Sequence, residues 1–161
     1  DLTRSAFPIG VTFRRLGWVL ALRRPFLNDN FAPWILALQP VVTAIDDTGA
    51  TLRIPMTPDI MRTGNIVSGQ TLATLADTAM VIGCGGAAGE MIPVGTVTLD
   101  TQFLRPATGD AIDAKAEITR LGQGMAFARC TLNALPSGKP VALATATFAR
   151  QRRDSSAELR I

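Results

Sequence analysis

One acidic residue stands alone in a long uncharged stretch of the chain. Asp77 is the only charged residue between Arg62 and Glu90. A carboxylate inside an apolar segment is costly unless it is paired, hydrogen-bonded or used in chemistry. Two interpretations follow. Asp77 is either a structural acid that accepts hydrogen bonds or meets an arginine, or it is the working carboxylate of a site.

The residue types that the chain lacks restrict its chemistry. It has no histidine and only two cysteines, Cys84 and Cys130, which do not form a CxxC pair. This composition excludes Ser-His-Asp and Cys-His catalysis and leaves no zinc ligand set, so no metal is expected. An enzyme made from this chain must use a carboxylate, polar side chains and backbone N–H groups. Asp77 is the best-placed carboxylate for such work.

The residues around Asp77 have the pattern of one buried helix. Its core-facing stripe follows the i, i+3, i+4 spacing and comprises Leu72, Leu75, Ala76, Ala79 and Gly83. The opposite side is hardly polar, which is typical of a helix buried all round. Ser68 is a favoured N-cap, and the glycines at 83, 85 and 86 are expected to end the helix. Residues 84–89 are then expected to form a flexible connection.

The start of this helix is a second place where chemistry is favoured. Free N–H groups at Ser68 and Gly69, together with the helix dipole, stabilise developing negative charge. Asp77 lies roughly 13 Å further along the same helix, so one chain cannot bring both to one carbonyl. Two antiparallel helices related by a two-fold axis can do so. Use of both ends therefore requires at least a dimer.

Strand patterns lie on both sides of the helix. Two strands are predicted within residues 36–56, joined by a hairpin turn at 46–49. Four more are predicted at 96–104, 111–120, 125–134 and 141–150, separated by turns containing Gly and Pro. The expected fold class is α+β, with one antiparallel sheet of about six strands around the helix. Pairing of exposed edges through a two-fold axis would extend the sheet.

Length and composition indicate one domain with a sizeable core. The chain has 161 residues, 47% of them hydrophobic, and a net charge of +3. No dense basic tract with interleaved aromatic residues favours nucleic acid, although a basic rim suits an anionic, phosphate-bearing ligand. No apolar run is expected to approach the ~20 residues of a membrane span, and nothing resembles a signal peptide. Two unpatterned cysteines fit a reducing compartment, so a cytoplasmic location is expected. No membrane partner is expected.

The ends of the chain differ from its centre. Residues 1–30 are expected to form an N-terminal helical extension that packs on the domain or on a partner subunit. Residues 31–150 form the predicted domain. Residues 151–161 are charged and lack periodicity, so a mobile tail is expected.

Three short motifs occur in order along the chain: Ser68-Gly69-Gln70, Leu75-Ala76-Asp77-Thr78-Ala79 and Phe103-Leu104-Arg105-Pro106-Ala107. In combination they resemble the hotdog-fold acyl-CoA thioesterases of the phenylacetate-degradation (PaaI-like) type, over about residues 31–150. The resemblance implies a hotdog fold and homodimers joined edge to edge, often assembled into homotetramers with shared sites. It also implies hydrolysis of an acyl-CoA thioester without a metal. No cofactor is expected, because CoA is part of the substrate.

The resemblance assigns roles residue by residue. Asp77 falls on the family's catalytic carboxylate, which acts as general base or as nucleophile. Gly69 falls on the glycine whose N–H polarises the thioester carbonyl, and Thr96 falls near a Ser or Thr that assists the water. The residues expected to contact substrate are Arg62, Asn65, Ser68, Gln70 and Arg105.

Two of these positions depart from the family pattern. Ser68 replaces the common histidine, although an N-cap role survives the change. Arg62 stands where relatives often carry asparagine, and Asn65 lies close by. Arg105 is a candidate for the CoA phosphates, but a surface arginine also commonly meets only water.

Three functions remain open at this point. The leading hypothesis is an acyl-CoA thioesterase. The second is a non-catalytic acyl-CoA binding or regulatory protein, which the missing histidine motivates. A hotdog dehydratase or hydratase is disfavoured, because such sites depend on a histidine that this chain does not possess.

Overall fold

The structure, a computed structural model, describes residues 25–151. It begins with two short helices, α1 (Pro25–Asn30) and α2 (Pro33–Leu36). Leu27 of α1 is buried in the hydrophobic core, so the chain packs on the domain from this point. Most of the expected N-terminal extension and nearly all of the expected charged tail lie outside the described residues.

Eight strands and one long helix follow. The strands are β1 (Val41–Ile45), β2 (Gly49–Pro55), β3 (Met61–Arg62), β4 (Ile66–Val67), β5 (Val94–Phe103), β6 (Ala111–Leu121), β7 (Met125–Leu135) and β8 (Lys139–Arg150). The long helix, α3 (Gly69–Ala88), connects β4 to β5. The first predicted strand is shorter than expected, because residues 33–36 are helical and lead into it.

Six of the strands form one antiparallel sheet. Their spatial order is β1, β2, β6, β7, β8, β5, and β3 pairs only with β4 in a separate ribbon. Every neighbouring pair in the large sheet is antiparallel. β1 and β5 are therefore its two edges.

Helix α3 lies across one face of this sheet. It packs chiefly against β6, β2 and β7, and less against β5 and β8. Twelve of its residues are buried, among them Leu75, Ala76, Ala79 and Met80. The predicted arrangement, a sheet wrapped around one buried helix, is confirmed.

The helix continues past the glycines that were expected to end it. Gly83, Gly85 and Gly86 lie within α3, and the helix ends at Gly89, whose φ of 72° is left-handed. The expectation of a flexible connection over residues 84–89 was wrong. The glycines serve close packing instead: a Cβ on Gly86 would overlap the carbonyl oxygen of Asp46 and lie 3.0 Å from that of Gly49. Helix α3 thus rests directly on the β1–β2 turn.

Helix α3 also has the length and composition of a membrane span. It has 20 residues and a mean hydropathy of 1.3 in its most apolar window, so the expectation that no stretch approaches a span was wrong. In this structure 61% of that window is buried inside the domain. The helix is the core helix of the sheet, and its apolar surface is covered by the strands.

The edge strand β5 is poorly covered by the helix. Leu99 and Phe103 pair with the buried residues Ala146 and Ala142 and therefore face the helix side of the sheet. They remain 39% and 56% exposed, respectively. An uncovered apolar edge of this kind invites pairing with another chain.

Candidate active site

Asp77 lies in the middle of α3 and is half-buried. Its Oδ1 accepts a hydrogen bond of 2.9 Å from Oγ1 of Thr96 on β5. Burial raises the pKa of Asp77 because it removes water from the ionised form, and the Thr96 hydrogen bond partly opposes this shift. A half-buried carboxylate that is held by one hydroxyl has the properties of a general base or nucleophile.

A β-bulge brings Thr96 to this carboxylate. Thr96 pairs with Phe148, and Thr98 pairs with Thr147, so Val97 is an extra residue on β5. Since Phe148 is buried, Thr96 faces the helix side of the sheet, the same side as Leu99. Without the bulge, strict alternation would turn Thr96 to the opposite face from Leu99.

The start of α3 is capped as expected. Oγ of Ser68 accepts a hydrogen bond of 3.3 Å from the N–H of Thr71 and lies 2.9 Å from the Thr71 hydroxyl. Gly69 is the first residue of the helix, where N–H groups have no intrahelical acceptor. A Cβ on Gly69 would lie 3.1 Å from the Phe103 ring, so the aromatic ring packs closely on the helix start.

A cavity of about 340 Å³ opens at this end of the helix. Its lining includes Arg62, Gly69, Leu72, Phe103 and Arg105. Asp77 and Thr96 do not line it. Gly69 and Asp77 are separated by eight residues, about 12 Å of helix. Within one chain, the structure therefore forms two half-sites: the carboxylate with Thr96, and the helix start with two arginines.

The other expected substrate contacts lie around these half-sites. Asn65 is exposed in the turn between β3 and β4, with a left-handed φ of 55°. Gln70 is exposed on the first turn of α3. Neither residue, nor Ser68, lines the 340 Å³ cavity. Their roles toward substrate remain predictions.

One basic residue near the cavity gave no signal in the sequence. Lys139, at the start of β8, lines a second cavity of about 560 Å³ with Arg105, Thr108 and Ser137. The two cavities share Arg105 and Pro106. A lysine in a surface turn is unremarkable in sequence, and only the folding of this turn beside the β5–β6 loop brings it near Arg105.

The fold is the one that the sequence predicted. Six antiparallel strands wrapped around one long central helix define the hotdog fold expected from the sequence. A sequence model of the thioesterase superfamily matches residues 64–140, a stretch that contains Asp77, Thr96 and Arg105. The predicted resemblance to this superfamily is therefore confirmed, and the fold is the hotdog fold.

Similar proteins agree with this assignment. A Thermoplasma acidophilum protein with a provisional name as an esterase is 24% identical over 110 residues, covering 66% of this chain and 77% of its own length. The structure of the Escherichia coli PaaI protein, from the phenylacetic acid degradation operon, matches with a TM-score of 0.73 and 20% identity, covering 89% and 97% of the two chains. A single-residue variant of Thermus thermophilus PaaI matches with a TM-score of 0.65 and 24% identity, covering 74% and 100%. The two solved structures agree with this chain in fold, and the superfamily match with the esterase-named relative supports a thioester hydrolase in general terms.

Proposed function

We propose that this protein hydrolyses acyl-CoA thioesters with Asp77 as its catalytic carboxylate. The observation that carries the proposal is the half-buried Asp77, with a raised pKa and a hydrogen bond from Thr96, in a chain of the thioesterase type that has no histidine. In such a chain a carboxylate is the remaining base of suitable pKa. The reaction is proposed to need neither a metal nor a cofactor.

In the proposed reaction, Asp77 activates the attack on the thioester carbonyl. As general base it takes a proton from water, whose oxygen bonds to the carbonyl carbon; as nucleophile its own oxygen forms that bond, and water then hydrolyses the resulting anhydride. In both cases the C–S bond breaks and CoA leaves as the thiolate. Thr96 holds Oδ1 of Asp77, which leaves Oδ2 for the reacting group. A backbone N–H at Gly69 stabilises the oxyanion.

The proposed site is shared between two chains. Asp77 and the start of its own α3 are about 12 Å apart, too far to act on one carbonyl. The uncovered edge strand β5 offers a surface through which a second copy would add its sheet. A homodimer, or a homotetramer made from two such dimers, would place the helix start of one chain against the Asp77 of its partner.

The residues around the helix start are proposed to hold the substrate. Arg62 and Arg105 line the cavity beside Gly69, and Asn65 and Gln70 are exposed next to it. Ser68 contributes as the helix cap. Neither nucleic acid nor a membrane is part of this proposal, and a cytoplasmic location remains the expectation.

The direct test is release of free thiol from a panel of acyl-CoA esters by the wild type and Asp77→Asn. The variant keeps the shape of the side chain and removes the base, so turnover should fall about 10²–10⁴-fold. Asp29→Asn is the matched control, because Asp29 is exposed on α1 and lines neither cavity. Undiminished turnover in Asp77→Asn would show that Asp77 is not the catalytic carboxylate.

A non-catalytic acyl-CoA binding protein is the second candidate. One observation favours it: the Ser68 hydroxyl is already bonded within the first turn of α3, so it does not supply the polar group that a histidine gives at this position. Saturable binding of CoA esters without thiol release from any ester of the panel would favour this function. Rapid hydrolysis would rule it out.

A further inference from the structure

The cavity at the start of α3 combines apolar walls with two positive charges. Its apolar part includes Leu72, Phe103 and Leu104, and its charged part consists of Arg62 and Arg105. Among residues 25–151, no aspartate or glutamate lines this cavity. No described residue makes a hydrogen bond or ion pair with either guanidinium. Arg62 and Arg105 are both exposed, so their charges are open to an anionic group that binds in the cavity.

We infer that this cavity binds a carboxylate carried by the acyl group, so that the preferred substrates are thioesters of dicarboxylic acids. The inference rests on the proposed thioester hydrolysis and names the substrate class of that same site. Arginine suits this task, because its planar guanidinium donates two parallel hydrogen bonds to a carboxylate. The apolar walls would contact the methylene or aromatic part that lies between the carboxylate and the thioester.

The position and size of the cavity favour the acyl side of the substrate over the nucleotide side. Gly69, whose N–H is proposed to hold the thioester carbonyl, lines the same cavity as both arginines. The phosphates of CoA are separated from the sulfur by the whole pantetheine arm. A volume of about 340 Å³ is at the small end of ligand sites and has room for a short acyl group. A negative charge next to Gly69 therefore belongs to the acyl group.

The test compares the hydrolysis of glutaryl thioesters and of their methyl esters, which differ only in the terminal charge. Each acyl group is presented on CoA and on N-acetylcysteamine, a thiol that carries no phosphate. Wild type should prefer the free acid by about tenfold or more in kcat/KM on both thiols, the usual worth of a charge-assisted hydrogen bond. Arg62→Gln and Arg105→Gln should each reduce that ratio several-fold.

Arg120→Gln is the matched control, since Arg120 is exposed and lines neither cavity. It should retain the preference for the free acid. Thermal melting of the three variants checks that each is folded. The inference is overturned if the wild type hydrolyses the methyl ester with the same kcat/KM as the free acid. It is also overturned if the Arg62 and Arg105 variants lose activity only on CoA esters, because the arginines would then contact phosphate.

Binding provides a readout that does not need turnover. Calorimetric titration with the non-hydrolysable thioether analogues of the same two CoA esters should show tighter binding of the free acid. If no thioester is hydrolysed but this preference is present, the proposed function fails and the assignment of the cavity stands. If hydrolysis is rapid but the charge has no effect on kcat/KM or on binding, the assignment of the cavity fails alone.

Discussion

Asp77 and Thr96 set the pH at which a base is available in this site. Burial raises the pKa of the Asp77 carboxyl, and the hydroxyl of Thr96 acts in the opposite direction by donating to the ionised form. A base works only when it is ionised, so activity should rise with pH through the pKa of Asp77. The acid limb of the pH–rate profile should therefore lie above the ordinary aspartate value of 3.8.

Thr96→Val should move this limb to higher pH. The substitution removes the donor that favours the carboxylate, so the pKa of Asp77 rises further and the rate at acidic pH falls. The measurement is kcat/KM across the acid limb. Thr98→Val is the control, because Thr98 lies across the bulge on the outer face and pairs with Thr147. An unchanged limb in Thr96→Val would mean that the hydrogen bond does not act on the working base.

Asp77→Asn should be more stable than the wild type at neutral pH. The folded-state pKa of Asp77 is raised above its unfolded value near 3.8, so its contribution to stability is full below 3.8 and is lost as pH rises through the folded pKa. Asparagine carries no charge and avoids this loss. The expected gain at pH 7 is a few degrees in Tm, about what 1 kcal/mol gives in a domain of this length.

The difference in Tm between Asp77→Asn and the wild type should shrink as the pH of the melting experiment is lowered toward the ordinary pKa of aspartate. The pH series also separates the two interpretations of the isolated acid. A variant that melts lower than the wild type at neutral pH would identify Asp77 as a structural acid that stabilises the fold.

At the level of elements, alternation in the sequence was sufficient to locate the last four strands. In β6, the buried residues Ile112, Ala114 and Ala116 alternate with more exposed ones. An antiparallel strand with one face on the core must show this pattern, so the four strands begin and end within about two residues of their predicted bounds. Helix α3 was equally easy to predict from the sequence, because its one charged residue stands among apolar neighbours.

Two features of the elements could not be read from local pattern. Glycines close to a helix end are compatible with a stop or with close packing, and the choice at Gly83 and Gly86 depends on the distant β1–β2 turn. The bulge at Val97 is also invisible in the alternation. The pairing of Thr96 with Asp77 was therefore accessible only through resemblance to a family, whereas Asp77 stood out by its isolation.

Gly86→Ala should destabilise the fold by about 2 kcal/mol or more. The added methyl group would overlap the carbonyl oxygen of Asp46, and a backbone atom cannot move aside without disturbing the turn. The measurement is the free energy of unfolding in urea. Gly83→Ala is the matched control within α3, since its methyl would lie 3.3 Å from the flexible end of Ile118. It should stay within about 1 kcal/mol of the wild type, since alanine also favours the helix. Equal effects of the two substitutions would argue against close packing at Gly86.

For the whole molecule, the separation of the half-sites is the central property. Gly69 lines the cavity at one end of α3, Asp77 lies about 12 Å along the same helix, and Thr96 is on the strand whose edge is uncovered. If the working site combines Gly69 of one chain with Asp77 of its partner, two inactive variants can complement each other.

Co-expression of Asp77→Asn with Gly69→Pro should restore activity. Proline is tolerated at the first position of a helix and removes the N–H that is proposed to hold the carbonyl. Phe103, which contacts Gly69, is largely exposed and has room to move. Each variant alone should be inactive, and random mixing should give about a quarter of wild-type activity, because half of the dimers contain one intact site. Thiol release from the co-purified mixture provides the measurement. If both chains are folded and paired but no activity returns, the site lies within one chain.

The order of the elements along the chain has a consequence for biosynthesis. Helix α3 is synthesised when only β1 and β2 of its main sheet have been made, and the strands β6 and β7 that cover much of it are still to come. Roughly 60 residues separate the end of the helix from the end of β8, which is several seconds of translation at about 5–20 residues per second. For that interval the nascent chain carries a segment as apolar as a membrane span, before the strands that cover it are complete.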